Sequence, residues 1–269
     1  ILCAGEDITE RKKLELIKEK YTTNLEETVK ARTKELSEAL EAEKKINELK
    51  SAFITIASHE LRTPLTIILS SITLIDRYYK MGVYEKQPKL IKRIQLASKQ
   101  FTVILDDFLS LDKLERGVVR ITKENIELQE FTQHILEDME GILKPGQQII
   151  HTYTGGTNII QDRKILHHII SNLLSNAIKY SDKDIEIHTL LENDKVIVKV
   201  KDKGIGIPQE DQHYLFQRFF RAKNVEHLPG TGLGLSIVER YVDLLNGKIE
   251  FTSIVDKGST FTLALPSEA

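Results

Sequence analysis

From Glu6 to Thr63 the chain contains neither glycine nor proline, and the tract is crowded with Glu, Lys, Leu and Ala. These are strong helix formers and nothing here supplies a turn, so the sequence commits this stretch to helix. The part from Thr9 to Lys50, about 42 residues, predicts a rod roughly 60 Å long at about 1.5 Å per residue. Leu14, Ile17, Tyr21, Leu25, Val29, Leu36 and Leu40 keep to helical spacing, and Ile46, Leu49, Phe53 and Ile56 continue by threes and fours after a slip of phase. Such a stripe needs a partner helix. The outer face is solvated, with Glu26 ahead of Lys30 and Glu41 ahead of Lys45 at helix-supporting spacing. A passive spacer and a two-stranded coil that transmits twist or register fit this tract equally.

The helical pattern runs on through Ser58-His59-Glu60-Leu61-Arg62-Thr63-Pro64-Leu65. Leu61, Leu65, Ile68, Ile72 and Ile75 step by four, three, four and three, which predicts one buried stripe. His59 lies about 200° round the helix from Leu61 and so faces solvent, where an imidazole is either a nucleophile or ordinary solvated surface. Pro64 lacks an N–H and crowds the Glu60 carbonyl, predicting a bend one turn after the histidine. Gly82 and Pro88 break the helix after about Tyr79. A second helix carries Ile94, Ala97, Phe101, Ile104, Phe108 and Leu111, a seam suited to antiparallel packing. A hairpin of this size buries little alone, and a homodimeric four-helix bundle covers both seams.

After Leu114 the texture changes. Val118–Thr122 reads as a strand, and Leu128–Leu143 as a helix with Phe131, Ile135, Met139 and Ile142 on one face, stopped by Pro145 and Gly146. Gln147–Tyr153 follows as a strand with Ile149, His151 and Tyr153 on one side. Asp162 caps a helix bearing Leu166, Ile169, Ile170, Leu173, Leu174 and Ile178. Strand patterns at 185–191 and 196–200, a helix at about 233–245, and strands at 248–254 and 260–265 complete a mostly antiparallel sheet with helices on one face, an α+β layer fold.

At 269 residues, 41% hydrophobic and 29% charged, the chain has room for two domains with buried cores. A net charge of −2 gives no basic field for nucleic acid or an anionic membrane, so protein and small-molecule partners are expected. Cys3 is the only cysteine, which fits a reducing, cytoplasmic compartment. No apolar run approaches the roughly 20 residues that span a bilayer, although an anchor could lie upstream.

Several short motifs bear chemistry. Asn172 and Asn176 share a helix face, where an amide oxygen can complete an Mg²⁺ shell, and Lys179 follows about one turn on, placed to meet phosphate. Alone, these read equally as solvated surface. Asp202 leaves a strand into Gly204-Ile205-Gly206, where its carboxylate can accept from an exocyclic amine or simply sit in a polar turn. Gly230-Thr231-Gly232-Leu233-Gly234-Leu235-Ser236 opens a helix whose free N–H groups and positive dipole end suit phosphates. Between them, Phe216-Gln217-Arg218-Phe219-Phe220-Arg221 reads as a mobile lid or a loop pinned by aromatics, and Gly258-Ser259-Thr260 as a turn before the last strand.

In order, SHELRTPL, NLLSNAIKYS, DKGIGIP, FQRFFRA, GTGLGLS and GST resemble the H, N, first G, F, second G and third G boxes of bacterial sensor histidine kinases of the HisKA type, from about Phe53 to Leu265. The opening residues through Asp7-Ile8-Thr9-Glu10-Arg11 resemble the end of a PAS sensor domain, which implies truncation within a longer protein. The resemblance implies a possible sensor-domain end at 1–8, a coiled-coil signalling helix at 9–50, a dimerisation and histidine phosphotransfer domain at 51–116, and an ATP-binding two-layer α/β sandwich at 117–269.

It further implies His59 as phosphoryl acceptor, Glu60 as neighbouring acid/base, and Thr63 as a residue that positions water for phosphatase action. Asn176 would ligate Mg²⁺ with Asn172 beside it, Lys179 and Tyr180 would line the nucleotide, and Asp202 would read the adenine amino group. Gly204, Ile205, Gly206, Gly230, Thr231, Gly232, Leu233, Gly234 and Leu235 would shape pocket and lid. Arg218, with Phe219 and Arg221 beside it, would meet the phosphates, and Thr260 would lie near the base. A hinge is expected near 114–118. His168 departs from the glutamine of many relatives. The expected partners are a second copy, an upstream sensor domain, and a separate response-regulator receiver domain that takes the phosphate. A phosphatase-dominant core and a catalytically silent dimeric adaptor are the alternatives, and gyrase-like ATPases, which lack a histidine hairpin, fit poorly.

Overall fold

The computed structural model describes residues 8–192, 194–225, 228 and 230–267; the opening residues 1–7, likened to a PAS-domain end, and Cys3 among them lie outside the described residues. The chain divides into two compact units, Ile1–Thr55 and Ile56–Ala269. Helix α1 (Ile8–Lys80) runs without interruption through Pro64. Within the first unit, Leu14, Ile17, Tyr21, Leu25, Val29, Leu36 and Leu40 are all exposed, so this part of the expected stripe has no cover in a single chain; the side chains of Ile46, Leu49 and Phe53 lie outside the described ones.

In the second unit, α1 ends at Lys80, and α2 (Gln87–Glu115) opens with a proline in its first turn, where a missing N–H costs nothing. The hairpin divides the stripe expected on α1. Glu60, Pro64 and Ser71 are buried and Ile68 and Ile75 half-buried, whereas Leu65, Leu69 and Ile72 stay exposed. The correction has a geometric cause. An antiparallel neighbour covers only one flank of a wide apolar face, and the other flank remains open. On α2, Leu90, Ala97, Ile104 and Leu111 are buried at seven-residue spacing while Ile91, Val103 and Leu109 are exposed.

The strand expected at Val118–Thr122 does not form. Val118 and Ile121 are exposed, and the Thr122 N–H donates to Asp162 Oδ2 at 2.7 Å instead of joining a ladder. Pairing begins later, where β1 (Glu124–Glu127) meets β3 (Asn158–Gln161) antiparallel, a strand with no earlier expectation. Helix α3 (Leu128–Glu140) is capped by Glu127, whose carboxylate accepts from the Gln129 and Glu130 N–H groups. It stops at Gly141, short of Pro145, so Ile142 falls outside it and is exposed.

The main sheet has the order β2-β4-β5-β7-β6, from β2 (Ile149–Gly155), β4 (Ile185–Glu192), β5 (Lys195–Lys201), β6 (Lys248–Ile254) and β7 (Gly258–Pro266). Only β2 and β4 pair in parallel. Gly258-Ser259-Thr260 belongs to β7 rather than to a preceding turn, paired with Ile254, Ser253 and Thr252 of β6. Helix α4 (Arg163–Tyr180) starts at Asp162, whose Oδ1 accepts from the Lys164 and Ile165 N–H groups, both at 3.0 Å. Its Leu166, Ile169, Ile170, Leu173 and Leu174 are buried, as are Ile185, Ile187, Val196, Val198, Val200, Leu263 and Leu265 on alternate positions of the central strands. Helix α5 (Gly234–Leu244) packs on α4 and reaches α2. This is the two-layer α+β sandwich behind a helical hairpin that the motifs implied.

Candidate active site

The C-terminal half of α4 supplies one wall of a cavity of about 270 Å³, with Asn172, Asn176, Lys179 and Tyr180 projecting from successive turns. The end of α4 is held from outside the sheet. Lys144 Nζ donates to the carbonyls of Lys179 and Ser181 at 3.0 and 2.8 Å and to Asp182 Oδ1 at 2.7 Å, a cation at the negative end of a helix. Asn176 Nδ2 donates to Asn172 Oδ1 at 3.1 Å, which leaves the Asn176 amide oxygen as an acceptor. Lys179 Nζ lies 2.9 Å from Tyr180 Oη and 4.6 Å from that ring's centre.

Asp202 sits where β5 gives way to the first glycine motif. Its Oδ1 accepts the Gly204 N–H at 2.8 Å, and the backbone N–H of Asp202 itself pairs with the Ser259 carbonyl at 2.9 Å. Burial pushes the carboxyl up, and hydrogen bonds from the backbone of Gly204 and Ser259 pull it back. Gly206 has φ +64°, and a Cβ there would overlap the Ile254 carbonyl, so only glycine lets this loop cross the β6–β7 turn.

The second glycine motif faces α4. Any side chain at Gly234 would strike the Asn172 amide, which fixes the N-terminus of α5 against the asparagine pair. No side chain caps α5, so its first-turn N–H groups remain for a ligand. The aromatic segment is pinned to this motif. The Phe219 N–H donates to the Gly232 carbonyl at 3.0 Å, Tyr214 packs on Phe220, and Phe216 packs on Phe251. Arg221 Nη2 donates to the Val225 carbonyl at 2.7 Å and to that of Leu228.

The cavity is closed from the hairpin side. Glu60 lines it, with Oε2 accepting the Gly230 N–H at 3.0 Å. Glu60 Oε1 lies 3.4 Å from His59 Nδ1, and the two side chains are 11% and 75% exposed, a shielded acid beside an open imidazole. Thr63 Oγ1 donates to the His59 carbonyl at 3.2 Å, one turn back along the same helix. Asp107 and Ile104 of α2 also line the cavity.

The structure therefore brings together Glu60, Asn172, Asn176, Lys179, Tyr180, Asp202, Ile205, Gly206, Arg221, Gly230, Thr231, Gly232, Gly234 and Leu235 around one space. Five expected nucleotide-binding residues stand outside it, among them Phe219, whose N–H is held by the Gly232 carbonyl. Arg218 is ion-paired with Glu115 at the end of α2, Leu233 is buried beneath the motif, and Gly204 contributes through Asp202. Thr260 is turned away because strand alternation gives the cavity its neighbours Ser259 and Phe261. Asp107 and Asn224 were not anticipated. The signal for Asp107 was present, since an acid three residues after Ile104 and four before Leu111 lies on an otherwise apolar seam.

A nucleoside triphosphate fits this donor set. A buried carboxylate, a lysine and an uncapped helix N-terminus all line the cavity. Mg²⁺ takes one or two protein oxygens plus phosphate oxygens, which the Asn176 amide matches. No group of three or more His, Cys, Asp or Glu side chains suited to a metal occurs among the described residues.

Residues 49–117 match the His Kinase A (phospho-acceptor) domain, and residues 161–269 match the histidine kinase-, DNA gyrase B-, and HSP90-like ATPase family. The circadian input-output histidine kinase CikA of Synechococcus elongatus is 32% identical over 255 residues, covering 92% of this chain and 34% of that protein, so the chain spans about a third of the relative's length. The solved Acinetobacter baumannii histidine kinase AdeS superposes with a TM-score of 0.59 at 25% identity, covering 78% of this chain and 98% of that one. Full-length ShkA in complex with AMPPNP shares the fold, with a TM-score of 0.58 at 20% identity over 81% of this chain and 46% of that one. With a phospho-acceptor hairpin followed by this ATPase sandwich, the chain belongs to the sensor histidine kinases.

Proposed function

We propose that the chain is a kinase core that transfers the γ-phosphoryl group of ATP to His59 and then to an aspartate of a separate response-regulator receiver domain. The observation that carries this reading is the line from the exposed His59 imidazole through Glu60 to the glycine motif of the nucleotide cavity. With its Nδ1–H directed at Glu60, the imidazole keeps its lone pair on Nε2. That nitrogen attacks the γ-phosphorus, the bond to the bridging oxygen breaks with its electron pair leaving on ADP, and the Nδ1 proton passes to the Glu60 carboxylate. Little other covalent chemistry is needed, because phosphoryl transfer depends on in-line placement and charge neutralisation.

Asp202 would read the exocyclic amine of the base, Lys179 and the α5 N-terminus would meet the phosphates, and Asn176 would hold Mg²⁺, which supplies charge neutralisation on the phosphate oxygens when bound. Residues 9–50 would form the coiled-coil input helix, 51–116 the dimerisation and phosphotransfer domain, and 117–269 the catalytic domain, with the hinge near 114–118. The open Leu65, Leu69 and Ile72 flank supports a homodimeric four-helix bundle. Thr63, exposed one turn from His59, supports additional phosphatase action on the regulator.

Incubation with γ-labelled ATP and Mg²⁺ beside a His59→Ala variant tests the reading. Acid-labile label that is absent in the variant is expected. ATP binding without any label would leave the phosphatase or adaptor reading in its place.

A further inference from the structure

Asp107 is 8% exposed and lies on the buried stripe of α2 with Ala97, Ile104 and Leu111. An acid there needs a partner, and it has Thr231, whose Oγ1 is 3.4 Å from Asp107 Oδ2. The same hydroxyl accepts the Leu233 N–H at 3.2 Å, so one hydrogen-bonded chain ties α2 to the start of α5. Next to it, the Gly230 N–H is held by Glu60 of α1. Two consecutive residues of the second glycine motif are thus fastened by one acid from each hairpin helix.

We propose that Asp107 is a positioning residue that, through Thr231, seats the second glycine motif on the hairpin when it carries a proton and releases it when charged. A carboxylic acid and a hydroxyl satisfy each other in the dry seam, whereas a carboxylate there has one hydroxyl in place of its water shell. The consequence for activity rests on the kinase reading: Glu60 already faces His59 through Oε1 while Oε2 holds Gly230, so release leaves that pair in place and frees the motif for phosphates.

Burial pushes the Asp107 carboxyl up to about 7, with the charge of Asp106 adding and the Thr231 hydroxyl opposing. Once released into water the group returns to its ordinary value of 3.8. The seated state therefore holds the proton more tightly. Seating is strongest below the released value, weakens as pH rises towards about 7, and then levels off; between pH 6 and 8 the seating constant falls about tenfold. The other charged groups around the seam are Glu60 on α1, Asp106 on α2, Lys179 on α4, Asp202 after β5 and Arg221 of the aromatic segment. His168 on α4 faces Asp106, and burial holds its imidazole below the ordinary range.

Hydrogen–deuterium exchange of the 230–236 amides in the nucleotide-free chain, corrected for intrinsic rates, reads seating directly. Protection is expected to fall about tenfold from pH 6 to 8 in the wild type, to be pH-independent in Asp107→Asn, to be low at both pH values in Thr231→Val, and to keep the wild-type step in His168→Gln. Flat protection in the wild type, a step that survives in Asp107→Asn, or one that vanishes in His168→Gln overturns the proposal. Should Asp107→Asn not fold, the wild-type profile and Thr231→Val still decide. Phosphorylation does not enter this readout. A chain that shows the step but never labels His59 loses only the kinase reading, and one that labels His59 without the step loses only the latch.

Discussion

The helical hairpin and the ATP-binding sandwich meet the same need, burial of apolar surface, in different ways. In the sandwich, helix α4 and the central strands close on each other, and Leu166, Ile169, Ile170, Leu173 and Leu174 are inaccessible to solvent within one chain. The hairpin leaves Leu65, Leu69, Ile72, Ile91, Val103 and Leu109 open, and Leu14, Ile17, Tyr21, Leu25, Val29, Leu36 and Leu40 of the preceding tract are exposed as well. A domain that completes its own core can move as a rigid body, whereas the open flank of the hairpin is the surface that the proposed second copy would cover. The division suits the kinase reading proposed above, in which the nucleotide is carried to His59.

The largest effect expected from this contrast is in the sandwich. Leu173→Ala removes a buried side chain from α4 and should cost about 2–5 kcal/mol of stability, read as a lowered denaturant midpoint for the ATP domain. The hairpin should respond differently. Leu69→Glu with Ile72→Glu places charge on the open flank; the monomer is expected to stay folded, with the ATP domain melting unchanged, while sedimentation shows loss of the dimer. Were the double variant to remain dimeric, the open flank would not be the dimer seam.

These two regions were also unequally legible in the sequence. Helix α4 followed from Asp162 and its apolar spacing because cap, stripe and burial all agree. On α1 the spacing was right but its use was not, since periodicity shows that a face is apolar without showing which flank a neighbour in the same chain takes. Val118–Thr122 alternates like a strand, yet Asp162 engages Thr122 from a distance of 40 residues, a contact that no local pattern contains. The site motifs picked out Asn176, Asp202, Gly206, Gly230, Gly232 and Gly234, which line one cavity. They did not reveal that Arg218 would face Glu115 or that Asp107 would line the cavity, because both depend on how the hairpin meets the sandwich.

Lys144 offers an intermediate test within the sandwich. It supports the end of α4 through two carbonyls and Asp182, and its side chain is 37% exposed. Lys144→Met is expected to cost about 1–2 kcal/mol after allowance for solvent screening. Because Lys179 and Tyr180 sit on that last turn, nucleotide affinity measured by titration should fall with stability, and Lys144→Arg should restore part of both. An affinity untouched by Lys144→Met would show that α4 holds its end without help.

The smallest effect is expected at the joint itself. Glu115 and Arg218 pair across it with side chains 47% and 30% exposed, so the pair is open to water and screened by salt. A double-mutant cycle of Glu115→Gln and Arg218→Gln should give a coupling of about 0–1 kcal/mol that shrinks further in high salt. On the kinase reading proposed above, a weak pair suits a joint that opens, because Arg218 would then exchange Glu115 for a phosphate at little cost. Glu115→Gln alone should accordingly leave unfolding unchanged and raise nucleotide affinity a few-fold at low salt. A coupling of about 2 kcal/mol or more would mean that the joint is consolidated like the core of the sandwich, and the contrast between a fixed hairpin and a movable catalytic domain would fail at the point where it matters for phosphoryl transfer.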